Sequence, residues 1–152
     1  RDTESQRYGI LIVSDEKARL RYKQHNAALE CYASRHSYYF LVLDPNHYLQ
    51  CLHIKNFFFR KHCVVLFYLI ENLHIRWLLV LDGDNVLINA SKRIESYVPS
   101  NKHVHVVHYE RFYNGEIMAG NYLIRNHRWS HQYLQKWSSL EASLPDVYYH
   151  NN

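Results

Sequence analysis

The stretch Trp77-Leu78-Leu79-Val80-Leu81-Asp82-Gly83-Asp84-Asn85-Val86-Leu87-Ile88 decides the fold. Its first half is wholly apolar and shows no alternation, which predicts a central strand buried on both faces. The strand runs directly into two carboxylates two residues apart. Side chains placed so close after a buried strand converge on one point, and oxygen donors of this kind suit hard divalent cations such as Mg²⁺ or Mn²⁺. Gly83 between them permits a tight turn and leaves room for a ligand. The same letters also suit a plain strand end with two solvated acids.

The elements around this stretch give it a place. Tyr8 to Val13 is an apolar run stopped by Ser14-Asp15 and predicts a buried strand followed by a helix cap. Asp15 to His36 predicts one helix with Ala18, Tyr22, Ala28 and Tyr32 on its inner face. Tyr38 to Leu43 predicts a second strand, closed by Asp44-Pro45. Asn46 to Lys55 is irregular, and Phe57 to Leu73 carries a helical apolar stripe at positions 59, 63, 66, 67, 70 and 73. Strand, helix, strand, helix, strand is the order of a right-handed α/β sheet with parallel strands. Ligands of such sheets sit at the carboxyl ends of the strands, where Asp82 and Asp84 fall. Further on, Asn85 to Ile88 predicts a short strand, Ser91 to Tyr97 a short helix, and His103 to His108 and Ile117 to Ile124 strands. Trp129 to Leu140 predicts a helix whose Trp129, Tyr133 and Trp137 pack in the core.

Bulk properties narrow the classes. The formal charge of +4 is small and dispersed, with no basic stripe, so a nucleic-acid polymer is not an expected partner. Cys31, Cys51 and Cys63 form neither a disulfide framework nor a zinc set. Cys31 and Cys63 are expected as buried free thiols, with a Cys31–Cys63 bridge open in an oxidising compartment. The sequence contains no repeats and no linker, which predicts a single domain over residues 1–152. It opens on Arg1 without Met and closes on Asn151-Asn152 in mid-pattern, which predicts a C-terminally truncated fragment. No signal peptide or membrane span is present in it. Asn89-Ala90-Ser91 is a glycosylation sequon of low specificity.

Two enzyme classes place acids in this way. In a metal-dependent glycosyltransferase, the pair holds a metal that neutralises a donor diphosphate. In a haloacid-dehalogenase-like phosphatase, Asp82 would be the nucleophile and Asp84 the general acid/base. The phosphatase motif usually opens its fold and needs a later acidic pair. Here two strands and two helices come first, and no adjacent acids follow.

The segment Arg111-Phe-Tyr-Asn-Gly-Glu-Ile-Met-Ala-Gly120-Asn-Tyr-Leu-Ile-Arg125-Asn126-His-Arg-Trp129-Ser130 resembles a nematode group known only as domain of unknown function 273. More distantly it is similar to galactomannan- and xyloglucan-type α-glycosyltransferases, through Gly120, Tyr122, Leu123, Ile124, Arg125, Asn126, Trp129 and Ser130. Tyr32 with His36-Ser37-Tyr38 resembles the distant family's Tyr-x-x-x-His-Gly-Tyr, with Ser37 in place of glycine. Phe57 to Val65 resembles the nematode group. The likeness spans roughly residues 8 to 152 and departs at Met118, where the distant relatives carry Asn.

The resemblance implies a GT-A-like, Rossmann-like α/β sheet with flanking helices. It implies transfer of a hexosyl or pentosyl group from a nucleotide-diphosphate sugar to a glycan or protein acceptor, in the Golgi or another secretory lumen. A membrane anchor outside the fragment would accompany that location. Asp82 and Asp84 would bind Mn²⁺ or Mg²⁺, and Asp82, Gly83, Asp84, Arg60 and Tyr32 the nucleotide sugar. Asn114, Glu116, Met118, Ala119 and Gly120 would line the sugar or acceptor pocket. Arg60 and Lys61 read either as neutralising phosphate from the first turn of a helix or as a solvated pair, Tyr32 also as core, and Asn114 and Glu116 also as a plain turn. His103 and His105 are expected on one face of a strand, wet rather than metal-bound. A non-catalytic binding or scaffold domain is the further alternative.

Overall fold

The computed structural model describes residues 7–145. Five strands form one sheet in the order β2-β1-β3-β5-β4. They are β1 (Tyr8–Val13), β2 (Tyr39–Leu43), β3 (Trp77–Leu81), β4 (Val106–Glu110) and β5 (Ile117–Arg125). The helices are α1 (Glu16–Arg21), α2 (Lys23–His36), α3 (Phe57–Glu71) and α4 (Arg128–Ser139). β1 pairs in parallel with β2 and with β3, as the alternating order requires. β5 runs antiparallel to β3, and β4 antiparallel to β5. The sheet is therefore mixed. Its parallel half gathers three carboxyl ends at one edge, and the antiparallel β5 brings its own beginning to that same edge.

Both faces of the sheet are covered. The chain moves outward from β1 to β2 and back across to β3. Connections of one hand then place α2 and α3 on opposite faces. On one face α3 and α4 pack through Val64, Val65, Leu69 and Leu134 against Leu11, Leu78, Val80 and Ile124. On the other face Tyr32 and Ala33 of α2 cover Tyr8, Ile10 and Trp77, with Ile94 beside them. Leu78 and Val80 point one way and Trp77 and Leu79 the other, so the uninterrupted apolar run of β3 is what a central strand needs.

Several expectations need correction. The helix expected from Asp15 to His36 is two, because Tyr22 leaves the helical region (φ −102°, ψ 24°). Ala28 is exposed, and the buried residues of α2 are Asn26, Leu29, Tyr32 and Ala33. No strand forms at 85–88; the chain turns at Gly83-Asp84 and then runs irregularly, with the Asn85 amide donating to the Asp82 carbonyl. The helix expected at 91–97 shrinks to a 3₁₀ turn, Ile94–Tyr97. The strand expected at 103–108 is Val106–Glu110, so His103 and His105 precede it. His105 instead stacks on His127, with ring centroids 4.2 Å apart. Trp129 is 47% exposed, while Tyr133 and Trp137 do pack against the core. Ile70 of α3 faces solvent, and so does Leu73, which lies beyond the end of that helix at Glu71.

The cysteines differ most. Cys51 and Cys63 are bonded, with Cα atoms 5.8 Å apart, and Cys31 is the exposed free thiol. The segment Pro45 to Cys51, expected as irregular, coils into two 3₁₀ turns. That coiling delivers Cys51 to the flank of α3, where Cys63 projects. Sequence spacing alone does not reveal such a return.

Candidate functional site

The acidic turn lies at the carboxyl end of β3, beside the start of β5. Ladder pairs run from Trp77↔Arg125 to Val80↔Tyr122. Continued two residues further, that register sets Asp82 opposite Gly120. Their approach is so close that a Cβ on Gly120 would stand 1.9 Å from Asp82 Oδ2. Only a glycine lets the carboxylate lie there, so Gly120 is required by contact with Asp82.

The other oxygen of Asp82 meets a cation. Lys61, on α3, donates from Nζ to Asp82 Oδ1 at 2.6 Å and to the carbonyl of Gly120 at 2.5 Å. Its side chain is 3% exposed, against 35% for that of Asp82. Burial pushes the lysine below its ordinary value, and the negative charges of Asp82 and Asp84 work against that shift. Of the two readings of Arg60 and Lys61, the solvated pair fails for Lys61. Its signal was available: Lys61 falls in phase with Val64, Val65 and Tyr68 on an otherwise apolar helix face, where only a paired charge is tolerated.

The backbone of the turn is braced separately. Asn121 Oδ1 accepts from the Asp82 amide at 2.7 Å, and the Asn85 side chain donates to the Asp82 carbonyl. Asn85 and Asn121 also exchange hydrogen bonds with each other at 3.0 and 2.9 Å. Asp84 is exposed and accepts no hydrogen bond from a described residue. Gly83 faces Tyr22 and Ser14, so a side chain there would touch the Tyr22 ring. Tyr22 interrupts the α1–α2 helix at the point where its ring meets this turn.

The other predicted residues divide. Met118 reaches the turn, since its Cε lies 3.0 Å from the position of a Gly120 Cβ. Ala119 is exposed next to it. Asn114 and Glu116 belong to the β4–β5 hairpin, where Gly115 takes φ +68° and Glu116 pairs with Arg111 at 2.9 Å. Asn114 spends its side chain on Glu116. Arg60 donates to the carbonyls of Ile54 and Lys55 and to Asn46, and so ties down the segment before α3. Tyr32 is buried, and its hydroxyl donates to the Lys92 carbonyl at 2.7 Å. Its ring lines a groove of about 670 Å³ on the α2 face of the sheet. Leu79, Val107, Leu123 and Tyr97 form the apolar walls of that groove, and Asn85 and Asn121 connect it to the turn.

The motif around Asn126 proves to be structural. Asn126 donates to the carbonyls of Leu69 and Asn72, the open end of α3, and accepts from His131 of α4. That capping locks the two helices of one face to the end of β5. Beneath the acidic turn, His62 stacks on Trp137 at 3.6 Å and bonds to Tyr122 Oη at 2.9 Å. Burial drives His62 down to about 3, which keeps it neutral.

The donor set bears on a metal. Among the described residues no cluster of three or more His, Cys, Asp or Glu side chains is placed to enclose one. The turn offers Asp84 and the Oδ2 of Asp82. Two carboxylate oxygens fit a cation that completes its shell with phosphate and water.

Residues 29–152 match the profile of a family described as a protein of unknown function, DUF273. The chain belongs to the DUF273 family. No curated protein matches it. Among solved structures, this DUF273 chain is similar to one described as the crystal structure of a glycosyltransferase involved in the glycosylation of the major capsid of PBCV-1. The two share 19% identity and a TM-score of 0.70, over 91% of this chain and 68% of the other. At that identity the likeness is one of fold: a mixed α/β sheet flanked by helices.

Proposed function

We propose that this DUF273 protein is a glycosyltransferase. It would bind a nucleotide-diphosphate sugar at the carboxyl edge of β3 and pass the glycosyl group to a glycan or protein acceptor. The observation that carries this reading is Asp84. It is an exposed carboxylate without a hydrogen bond from the described residues, on a turn braced by Asn85 and Asn121, in a fold shared with a solved glycosyltransferase. Rigid bracing around a free ligand group is what a binding site requires.

In this reading Asp84 and Asp82 hold Mn²⁺ or Mg²⁺, which supplies charge to stabilise the leaving diphosphate. Asn85 and Asn121 fix the turn so that the carboxylates need no reorganisation. Gly120 keeps the space against Asp82 clear, and Gly83 keeps it clear beside Tyr22. The sugar or acceptor would lie along Met118, Ala119 and Gly120. The buried Cys51–Cys63 bridge supports a secretory-pathway lumen, the Golgi among them, because cytosolic thiols stay reduced.

The test is a thermal-shift screen of nucleotide sugars with and without Mn²⁺. Metal-dependent stabilisation by one nucleotide sugar, lost in Asp84→Ala, is the expected result. No shift with any nucleotide would favour a non-catalytic scaffold. Turnover of a generic phosphomonoester would favour the phosphatase.

A further inference from the structure

Lys61 is a buried ammonium with no role in the reading above, yet it points into the acidic turn. Its two acceptors, Asp82 Oδ1 and the Gly120 carbonyl, lie on the two strands that meet there, β3's end and β5's beginning. It therefore joins α3, β3 and β5 at a single point. We propose that Lys61 is a positioning residue that makes cation binding by the turn depend on a diphosphate; this rests on the proposed function.

The geometry gives the reason. Lys61 occupies one oxygen of Asp82, and Gly120 packs against the other, so the carboxylate is held between them. With the ammonium counted, the net charge at the turn is −1 instead of −2. Asp84 is left as the open anionic ligand. A divalent cation arriving alone meets one free carboxylate, a partly engaged second one and a fixed positive charge nearby. A cation arriving with a diphosphate brings its own negative charge, which the ammonium attracts. Lys61 thus disfavours the bare metal and favours the metal–diphosphate pair.

A unit charge removed from beside a divalent cation site changes the cation's affinity about tenfold even where water screens the pair. Titration calorimetry with Mn²⁺, alone and with pyrophosphate, reads this directly. In the wild type, Mn²⁺ alone should bind weakly and pyrophosphate should strengthen it. Lys61→Met should bind Mn²⁺ alone about tenfold more tightly and lose most of the pyrophosphate enhancement. Asp84→Asn should bind no Mn²⁺ in either condition. A Lys61→Met variant with unchanged affinity for Mn²⁺ alone, beside a wild type that binds Mn²⁺ with pyrophosphate, overturns the role of Lys61 and leaves the proposed function standing. A wild type that binds no Mn²⁺ with pyrophosphate or any nucleotide sugar overturns both. Should Lys61→Met not fold, the wild-type ammonium signal in ¹⁵N NMR serves instead. It should shift when Mg²⁺ and pyrophosphate are added together, and a signal that does not move refutes the proposal.

Discussion

Replacing Asp82 by asparagine should cost far more folding stability than replacing Asp84, although the two acids flank one glycine. Asp82 is the counter-ion of Lys61, whose side chain is 3% exposed. Breaking a fully buried pair by removing one partner typically costs about 3–5 kcal/mol, because a charge is left buried without compensation. Two features reduce that here. The Asp82 side chain is 35% exposed, and Lys61 keeps the Gly120 carbonyl as an acceptor. An expected loss of about 2–3 kcal/mol follows for Asp82→Asn. Lys61→Met removes the buried charge itself and leaves Asp82 able to hydrate, so it should stay within about 1 kcal/mol of wild type. Asp84→Asn removes no hydrogen bond to a described residue and should fall within about 0.5 kcal/mol. Urea unfolding followed by tryptophan fluorescence measures all three, and the Lys61→Met/Asp82→Asn double variant should be more stable than the sum of the single losses. Equal losses for the two aspartates, or a Lys61→Met loss as large as that of Asp82→Asn, would refute the charge-pair argument.

Gly120→Ala should displace the Asp82 carboxylate, lowering stability by about 1–3 kcal/mol and abolishing any metal-dependent nucleotide shift in the thermal assay. Reduction of Cys51–Cys63, or Cys51→Ser with Cys63→Ser, should cost about 3 kcal/mol in urea, whereas blocking the exposed Cys31 should cost nothing. His62 has a folded value of about 3 against an ordinary 6.5. The neutral form's contribution is therefore complete above pH 6.5 and is lost as pH falls towards 3. The slope approaches about 1.4 kcal/mol per pH unit; it should be missing from His62→Gln and so appear in the difference between wild type and variant. Ser37 ends α2 at φ 59°, a conformation that favours glycine. Ser37→Gly should therefore raise stability by about 0.5–1 kcal/mol in the same urea assay.

The apolar run 77–81, its acidic end, the parallel pairing of the first three strands and the α3 and α4 helices were legible in the sequence. Each follows from a local period or a neighbouring breaker. The split at Tyr22 and the irregular path at 85–88 were not legible, because both depend on groups brought from elsewhere: the Gly83 turn against Tyr22, and Asn121 against Asn85. The motif around Asn126 pointed to the right family while its side chain does structural work, capping α3.

The sequence by itself determined where the acids lie, because a strand buried on both faces must be apolar throughout and must stop where charge begins. Only the tertiary structure decided what those acids touch. Lys61 meets Asp82 across 21 residues and Gly120 across 59, and Cys51 finds Cys63 rather than leaving it to Cys31. Hydrophobic period is a property of neighbours in the chain, whereas ion pairs, disulfides and close glycine contacts depend on how α3 and β5 are set against the end of β3.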